Sequence, residues 1–315
     1  MDIQNFSDEL IRFGAAEAVQ DLYIQYQKER WVAVFRKGQQ LQVYRELEET
    51  CAKQLITRFK YLGAMDVGEN RKVQLGAISY PLSETVQQRL RLSAVGDYRT
   101  RESLVIRFLH PLQETNVHYF IPEQKNILEH AVNRRGLYLF SGPTGSGKTT
   151  LMYQLARQVK GQVITIEDPV EIEEPAFLQL QTNPKIGQTY DVLIQLSLRH
   201  RPDVLIIGEI RDGETAKAAI RAALTGVTVF ATVHAKGVAG TRSRICELAA
   251  GQTELTDCLE GIIYQRLLPW DEAHLGVLLA YEFTGKELPY GDWRENLQQL
   301  AGQGKWPSAD FESEL

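Results

Sequence analysis

Apolar and polar positions follow two regimes along the chain. In the first 110 residues, short runs such as "LYIQY" and "WVAVF" group β-formers, and "FRKGQQ", from Phe35 to Gln40, reads as a turn. "LEETCAKQLITRFKYLGAM" places Leu47, Cys51, Leu55, Phe59 and Leu62 at helical spacing. "RLRLSAV" and "ESLVIRFL" predict two strands around the turn "GDYRT". From residue 123 the pattern changes to helix, strand, loop, helix. "EQKNILEHAVNRR" predicts a helix, and "GLYLF", "QVITIEDP", "DVLIIGEI" and "GVTVFATVHA" predict buried strands. "TTLMYQLARQV", "DVLIQLSLR" and "GETAKAAIRAAL" predict the helices between them. Buried strands alternating with helices imply an α/β fold with a parallel, doubly wound sheet, and such sheets bind ligands at the carboxyl ends of their strands.

Between His110 and Pro122 the chain reads "HPLQETNVHYFIP", two prolines bracketing polar residues, and this predicts a linker. The expected organisation is a smaller α+β domain over residues 1–115 and a nucleotide-binding domain over 116–315 that ends in a helical part. Near the end, "WRENLQQLAGQG" predicts a short helix with Gly302 close to its terminus, and the last ten residues are acidic.

Composition narrows the function classes. The chain has 315 residues, 43% hydrophobic and 24% charged, which is ordinary for a globular protein of two domains. The first 120 residues carry 16 Lys/Arg against 15 Asp/Glu and the remainder 19 against 25, so neither half is a basic, nucleic-acid-binding domain by charge. Three cysteines, Cys51, Cys246 and Cys258, form no CxxC pair, which argues for a reducing compartment and against a cysteine-based zinc site. Cys246 and Cys258 are expected at core or helix positions. The start "MDIQNFSDEL" lacks a basic region followed by an apolar one, and no apolar run reaches 18 residues. The expected location is the cytoplasm, or the face of a membrane reached through a partner.

The sharpest chemical signal is "SGPTGSGKTT", directly after the strand "GLYLF". Gly142, Gly147, Lys148 and Thr149 match G-x-x-x-x-G-K-[ST] without a gap. Glycines allow several backbone N–H groups to turn onto a phosphate, and the helix that follows adds its N-terminal field. The loop Gly142, Pro143, Thr144, Gly145, Ser146, Gly147, Lys148, Thr149 and Thr150 is therefore expected to hold ATP. Lys148 would meet the β- and γ-phosphates, and the Thr149 hydroxyl would ligate Mg²⁺.

Three other strands end in groups suited to the same chemistry. Glu209 in "LIIGEIRD" could orient an attacking water or hold Mg²⁺ through water. In "TIEDPVE", Glu167 and Asp168 are adjacent and point to opposite faces of a strand, so Glu167 is expected at the metal and Asp168 at the loop. His234 in "ATVHA" could sense the γ-phosphate. Earlier in the chain, Arg89, Arg91, Arg99, Arg101 and Arg107 form either an ordinary charged strand face or a supply of arginine fingers.

Together these segments resemble the secretion ATPases of type II secretion and type IV pilus assembly. "GPTGSGKTT" resembles that family's Walker A, "TIEDPVE" its Asp box, "LRHRPDVLIIGEIRDGETA" its Walker B region and "TGVTVFATVHA" its His box. "GIIYQRLLP" resembles a later helix with a QRL core, and "RFKYLGAMDVGENRKVQLGAI" and "RLSAVGDYRTRESLVIRFL" resemble two segments of its N-domain. The resemblance spans residues 15 to 285. It implies a RecA-like P-loop ATPase domain with a smaller α+β N-terminal domain, a hexameric ring, ATP bound between domains, and rotation that pushes a membrane platform protein to extrude pilin subunits. It also implies Glu209, Glu167, His234, Arg91 and Arg107 as catalytic-site residues. Asn70 and Val73 stand where that N-domain motif usually has Arg and Pro. By its length, the chain is expected to lack the extra N-terminal domain of the larger members. "QRLLPWDEAHLGVLLAYEF" lacks the four-cysteine insert, so no zinc is expected, and the C-terminal helix of the retraction members is absent. These departures are most similar to the competence pilus ATPases of Gram-positive bacteria, which build a pilus for DNA uptake.

Two other classes stay open at this point. A RecA-like or helicase protein acting directly on DNA would need a basic groove interleaved with aromatics, which the acidic second half does not offer. A nucleotide-binding regulator without turnover would not need the carboxylates at the strand ends.

Overall fold

The computed structural model describes residues 2–37, 40–110, 118–250, 253–269, 275–285 and 291–303. Most of the expected linker, the centre of the turn after Lys37, residues 270–274 of the stretch read for a zinc insert, and the acidic end lie outside the described residues. The chain divides into two compact units, Met1–Gln113 with Glu171–Glu173, and Glu114–Val170 with Glu174–Leu315.

The first unit begins with α1 (Ile3–Ala16), whose N-terminus is capped by the Asp2 side chain accepting from the Gln4 backbone N–H. Strands β1 (Asp21–Gln27), β2 (Arg30–Lys37) and β3 (Gln40–Leu47) precede α2 (Glu49–Leu62). Strands β4 (Gln74–Pro81), β5 (Gln87–Gly96) and β6 (Glu102–Leu109) follow. They form one antiparallel sheet in the order β3-β2-β1-β6-β5-β4. Phe6, Leu10 and Ile11 of α1 and Leu55, Ile56 and Phe59 of α2 share a core with Leu22, Ile24, Leu92, Leu104 and Ile106 of the sheet. Both helices thus cover one sheet face, an α+β arrangement. Leu47, expected in the helix, instead closes β3.

Two strands of this sheet have weak sequence signatures. β3 is exposed or half-exposed along its whole length, and β4 buries only Tyr80. Both are edge strands, so neither needs the apolar run or clean alternation that marks a strand buried on one face.

The second unit opens with β7 (His118–Tyr119) and α3 (Glu123–Ala131), then β8 (Gly136–Ser141), α4 (Lys148–Arg157), β9 (Val163–Glu167) and β10 (Leu178–Gln181). It continues with α5 (Tyr190–Leu198), β11 (Val204–Ile207), α6 (Gly213–Leu224) and β12 (Thr228–Thr232). It closes with α7 (Gly237–Leu248), α8 (Thr253–Cys258), β13 (Leu259–Pro269), β14 (Leu275–Phe283) and α9 (Trp293–Gly302). The sheet order is β10-β9-β11-β12-β8-β13-β14-β7. Pairings from β10 through β13 are parallel, whereas β14 runs antiparallel to β13. The central strands β8, β9, β11 and β12 are buried at every position. This explains their continuous apolar runs.

One expectation is overturned. "GIIYQRLLP" does not form a helix but the greater part of β13, paired with β8 on one side and β14 on the other. Its residues from Gly261 to Gln265 are all buried. A consecutive run of β-branched, aromatic and leucine residues suits a strand covered on both faces better than a helix with a polar side. Cys258 is buried at the end of α8, and Cys246 is exposed on α7. α9 is capped by Asp292, whose side chain accepts from the N–H groups of Arg294 and Glu295.

Candidate functional site

The parallel order sets β9, β11, β12 and β8 side by side, so their carboxyl ends form one sheet edge. Four of the sequence motifs lie on this edge because each follows its strand directly. β8 ends at Ser141 and α4 begins at Lys148, leaving residues 142–147 as the connecting loop. Gly142, Gly145 and Gly147 have positive φ angles of 139°, 79° and 85°, which L side chains rarely adopt. Pro143, Thr144 and Gly145 form an exposed rim, and Thr149 and Thr150 are half-buried in the first turn of α4.

Lys148 is only 9% exposed. Its ammonium donates to the loop's own carbonyls, Gly142 O at 3.0 Å and Pro143 O at 2.8 Å. The cation is thus held inside the loop, at the start of a helix whose first N–H groups have no intrahelical acceptor. Among the described residues Ser146 Oγ is buried without a hydrogen-bond partner. A loop with an inward ammonium, free helix N-terminal donors and an unsatisfied hydroxyl fits a phosphate group.

At the end of β9, Glu167 is 3% exposed. Its Oε1 accepts from the Tyr153 hydroxyl at 2.5 Å and from Thr165 Oγ1 at 2.7 Å. The Tyr153 oxygen in turn accepts from Gln179 Nε2 at 2.8 Å. Burial, then the Glu167 charge, pushes the Tyr153 phenol far up, so it stays protonated and donates. The adjacent Asp168 is close enough to Arg211 and Tyr190 for its charge to act on both.

Glu209 lies two residues beyond β11. Its Oε2 accepts from Arg211 Nε at 2.5 Å, and its Oε1 lies 2.9 Å from His234 Nε2. The hydrogen bond and charge of Glu209 raise the Arg211 pKa, so that cation is permanent. Two links hold the Glu209 and His234 strand ends together. Thr232 Oγ1 donates to Gly208 O at 2.5 Å, and Ile210 N donates to Thr232 O at 2.9 Å.

The structure therefore places Lys148, Thr149, Glu167, Glu209 and His234 on one sheet edge and pairs Glu209 directly with His234. Arg91 and Arg107 belong to the other unit, where they face each other across β5 and β6. Arg107 Nε donates to Asp21 Oδ1 at 2.9 Å, and Asp21 is 2% exposed. Burial works against the Arg107 charge, but Asp21, together with Glu171 and Tyr23, outweighs it and raises its pKa. Arg101 is committed to the turn before β6, where it pairs with Asp97. Arg99 sits over the Tyr98 ring and Arg89 donates to Ser79.

Sequence reasoning missed Tyr153, Thr165 and Arg211 as partners of the expected acids. Thr165 was findable, since it stands two residues before Glu167 and so shares its strand face. Tyr153 was not, because only the packing of α4 on the sheet brings it to β9.

The family model described as "Type II/IV secretion system protein" matches residues 2–277. "Competence protein ComGA" of Streptococcus pneumoniae is 43% identical over 314 residues, covering 99% of this chain and 98% of that protein. The fold is similar to the Legionella pneumophila ATPase DotB, with a TM-score of 0.78 and 21% identity over 98% of this chain and 94% of that one. It is also similar to the pilus retraction motor PilT with bound ADP, with a TM-score of 0.71 and 20% identity over 98% and 96% of the two chains. The nucleotide loop, the acids and histidine on one sheet edge, and these likenesses give one conclusion: the chain belongs to the type II/IV secretion system protein family and has its RecA-like P-loop fold.

Proposed function

We propose that this protein is a motor ATPase that hydrolyses MgATP to drive assembly of a competence pseudopilus for DNA uptake. The observation that carries this reading is the inward Lys148 at the head of α4, on the same sheet edge as the Glu209–His234 pair. Lys148 would exchange its two loop carbonyls for phosphate oxygens, and Thr149 would ligate the Mg²⁺ that arrives with the nucleotide. Among the described residues no group of three or more His, Cys, Asp or Glu side chains is placed to hold a metal by itself. Mg²⁺ would neutralise charge on the phosphates. Glu209 would orient the attacking water, and His234, whose Nε2 lies 2.9 Å from Glu209 Oε1, would report the state of the γ-phosphate. Glu167 would act at the metal through water, and Arg91 and Arg107 would contact phosphate in an assembled homo-hexamer.

The competence assignment is supported by the identity to the streptococcal protein over nearly its whole length. No helix of the described residues is long and apolar enough to cross a membrane. A cytoplasmic ring held to the inner face of the membrane by a platform protein, moving pilin subunits and not touching nucleic acid, is consistent with this. The test is Mg²⁺-dependent ATP hydrolysis across a protein dilution series, with Lys148→Ala as the blank. Specific activity that rises with concentration supports an assembled motor. Activity no higher than the Lys148→Ala blank refutes the ATPase reading.

A further inference from the structure

Two of the glycines in the nucleotide loop face not the open rim but β13. A Cβ at Gly142 would stand 2.1 Å from the backbone oxygen of Gln265, and one at Gly147 would stand 3.0 Å from Gln265 Nε2. By contrast, a Cβ at Gly145 would meet nothing within 4 Å. Gly142 thus leaves room for the backbone of Gln265, Gly147 lies against its amide, and the open side of the loop is at Gly145. The register explains the approach. Tyr264 pairs with Ser141 across β13 and β8, so Gln265 falls beside the first residue of the loop.

Gln265 also grips the loop. It is 3% exposed, and its Nε2 donates to Ser146 O at 2.7 Å. Among the described residues its Oε1 is buried without a hydrogen-bond partner, as is Ser146 Oγ on the residue it holds. Ser146 itself is 4% exposed. One amide therefore donates to the loop while its other end is unsatisfied. Leaving a buried acceptor unpaired is costly, and such groups mark places that are completed in another state.

We propose that Gln265 is a positioning residue for nucleotide binding. Its amide clamps the Ser146 carbonyl and so sets the direction of the loop N–H groups. The Ser146 hydroxyl gains an acceptor when the loop closes on phosphate, and the Gln265 oxygen stays available to accept from a loop N–H that turns toward it. The proposal rests on the nucleotide reading of the loop, and it gives β13 a place in the site that a packing strand would not have.

The test measures the dissociation constant of fluorescent ADP for the full chain, the KM and kcat for ATP, and amide hydrogen exchange of residues 142–147. Gln265→Met keeps the side-chain length and loses the clamp. It is expected to raise the ADP dissociation constant and the ATP KM about tenfold, equivalent to about 1.4 kcal/mol. The same variant should speed exchange in the loop and lower kcat less than threefold, because Lys148 and Thr149 remain on α4. Gln265→Glu, which keeps the acceptor but not the donor, should show the same loss of affinity and decides the question if Gln265→Met does not fold. Wild-type affinity in the folded variants, or a fall in kcat alone, overturns the proposal. Absence of ADP binding by the wild type overturns the nucleotide reading, and this proposal with it.

Discussion

Replacing Tyr153 by Phe removes one oxygen from a buried cluster and leaves the ring in place. In the wild type that oxygen donates to Glu167 Oε1 at 2.5 Å and accepts from Gln179 Nε2 at 2.8 Å. Thr165 still donates to the same carboxylate oxygen, at 2.7 Å. A hydrogen bond to a charged group contributes about 1.5–3 kcal/mol, more than a neutral one. The Phe ring would keep its contact with Phe177, whose centroid is 5.3 Å from that of Tyr153, so packing offsets none of the loss and adds none. Gln179 Nε2 would lose this acceptor, while its Oε1 keeps the Glu174 N–H at 2.9 Å. The expected cost is therefore about 2 kcal/mol, near the lower middle of that range. Thermal unfolding of the second unit should shift down by about 4 °C. If Glu167 acts in turnover, kcat should fall at least about tenfold while ADP affinity is retained, since about 1.4 kcal/mol corresponds to a factor of ten. A double-mutant cycle with Glu167→Gln isolates the pair, and a coupling of about 1.5 kcal/mol or more is expected. Stability and turnover both unchanged in Tyr153→Phe, with no coupling in the cycle, would refute the claim that the phenol positions Glu167.

Arg107→Ala should lower turnover more than nucleotide affinity, and it should also destabilise the first unit by about 2 kcal/mol because buried Asp21 loses its partner. Comparing it with Asp21→Asn in ATPase and unfolding assays separates the two effects, and normal turnover in Arg107→Ala removes the arginine from the mechanism. The cysteines should label in order of exposure. At pH 8 Cys246 should react first with a thiol reagent, and Cys258, buried with its thiol pushed up to about 11 by burial, should stay protonated and unreactive in the native state. Equal labelling of Cys246 and Cys258, read by mass spectrometry of the folded protein, would contradict the placement of α8.

Local patterns in the sequence marked the glycine-rich loop, the run of buried strands and the acids and histidine at their ends. Each of these is a local pattern. A strand buried on both faces must be apolar throughout, and a phosphate loop must have its glycines and lysine at fixed spacing. For that reason Lys148, Glu167, Glu209 and His234 were legible one by one, and so was the parallel direction of their strands, though not the order in which the strands lie. The exposed edge strands β3 and β4 were not, because few of their side chains are buried and little constrains their pattern. The segment "GIIYQRLLP" was misread because a short apolar run fits a buried helix or a buried strand equally well, and only its neighbours decide. Tertiary structure alone decided which groups touch. Tyr153 comes from α4 to meet Glu167 on β9, and Asp21 comes from β1 to meet Arg107 on β6. Gln265 reaches the nucleotide loop from more than a hundred residues away. Hydrogen bonds depend on positions in space, and no spacing rule along a chain encodes a contact between elements that only the sheet order brings together.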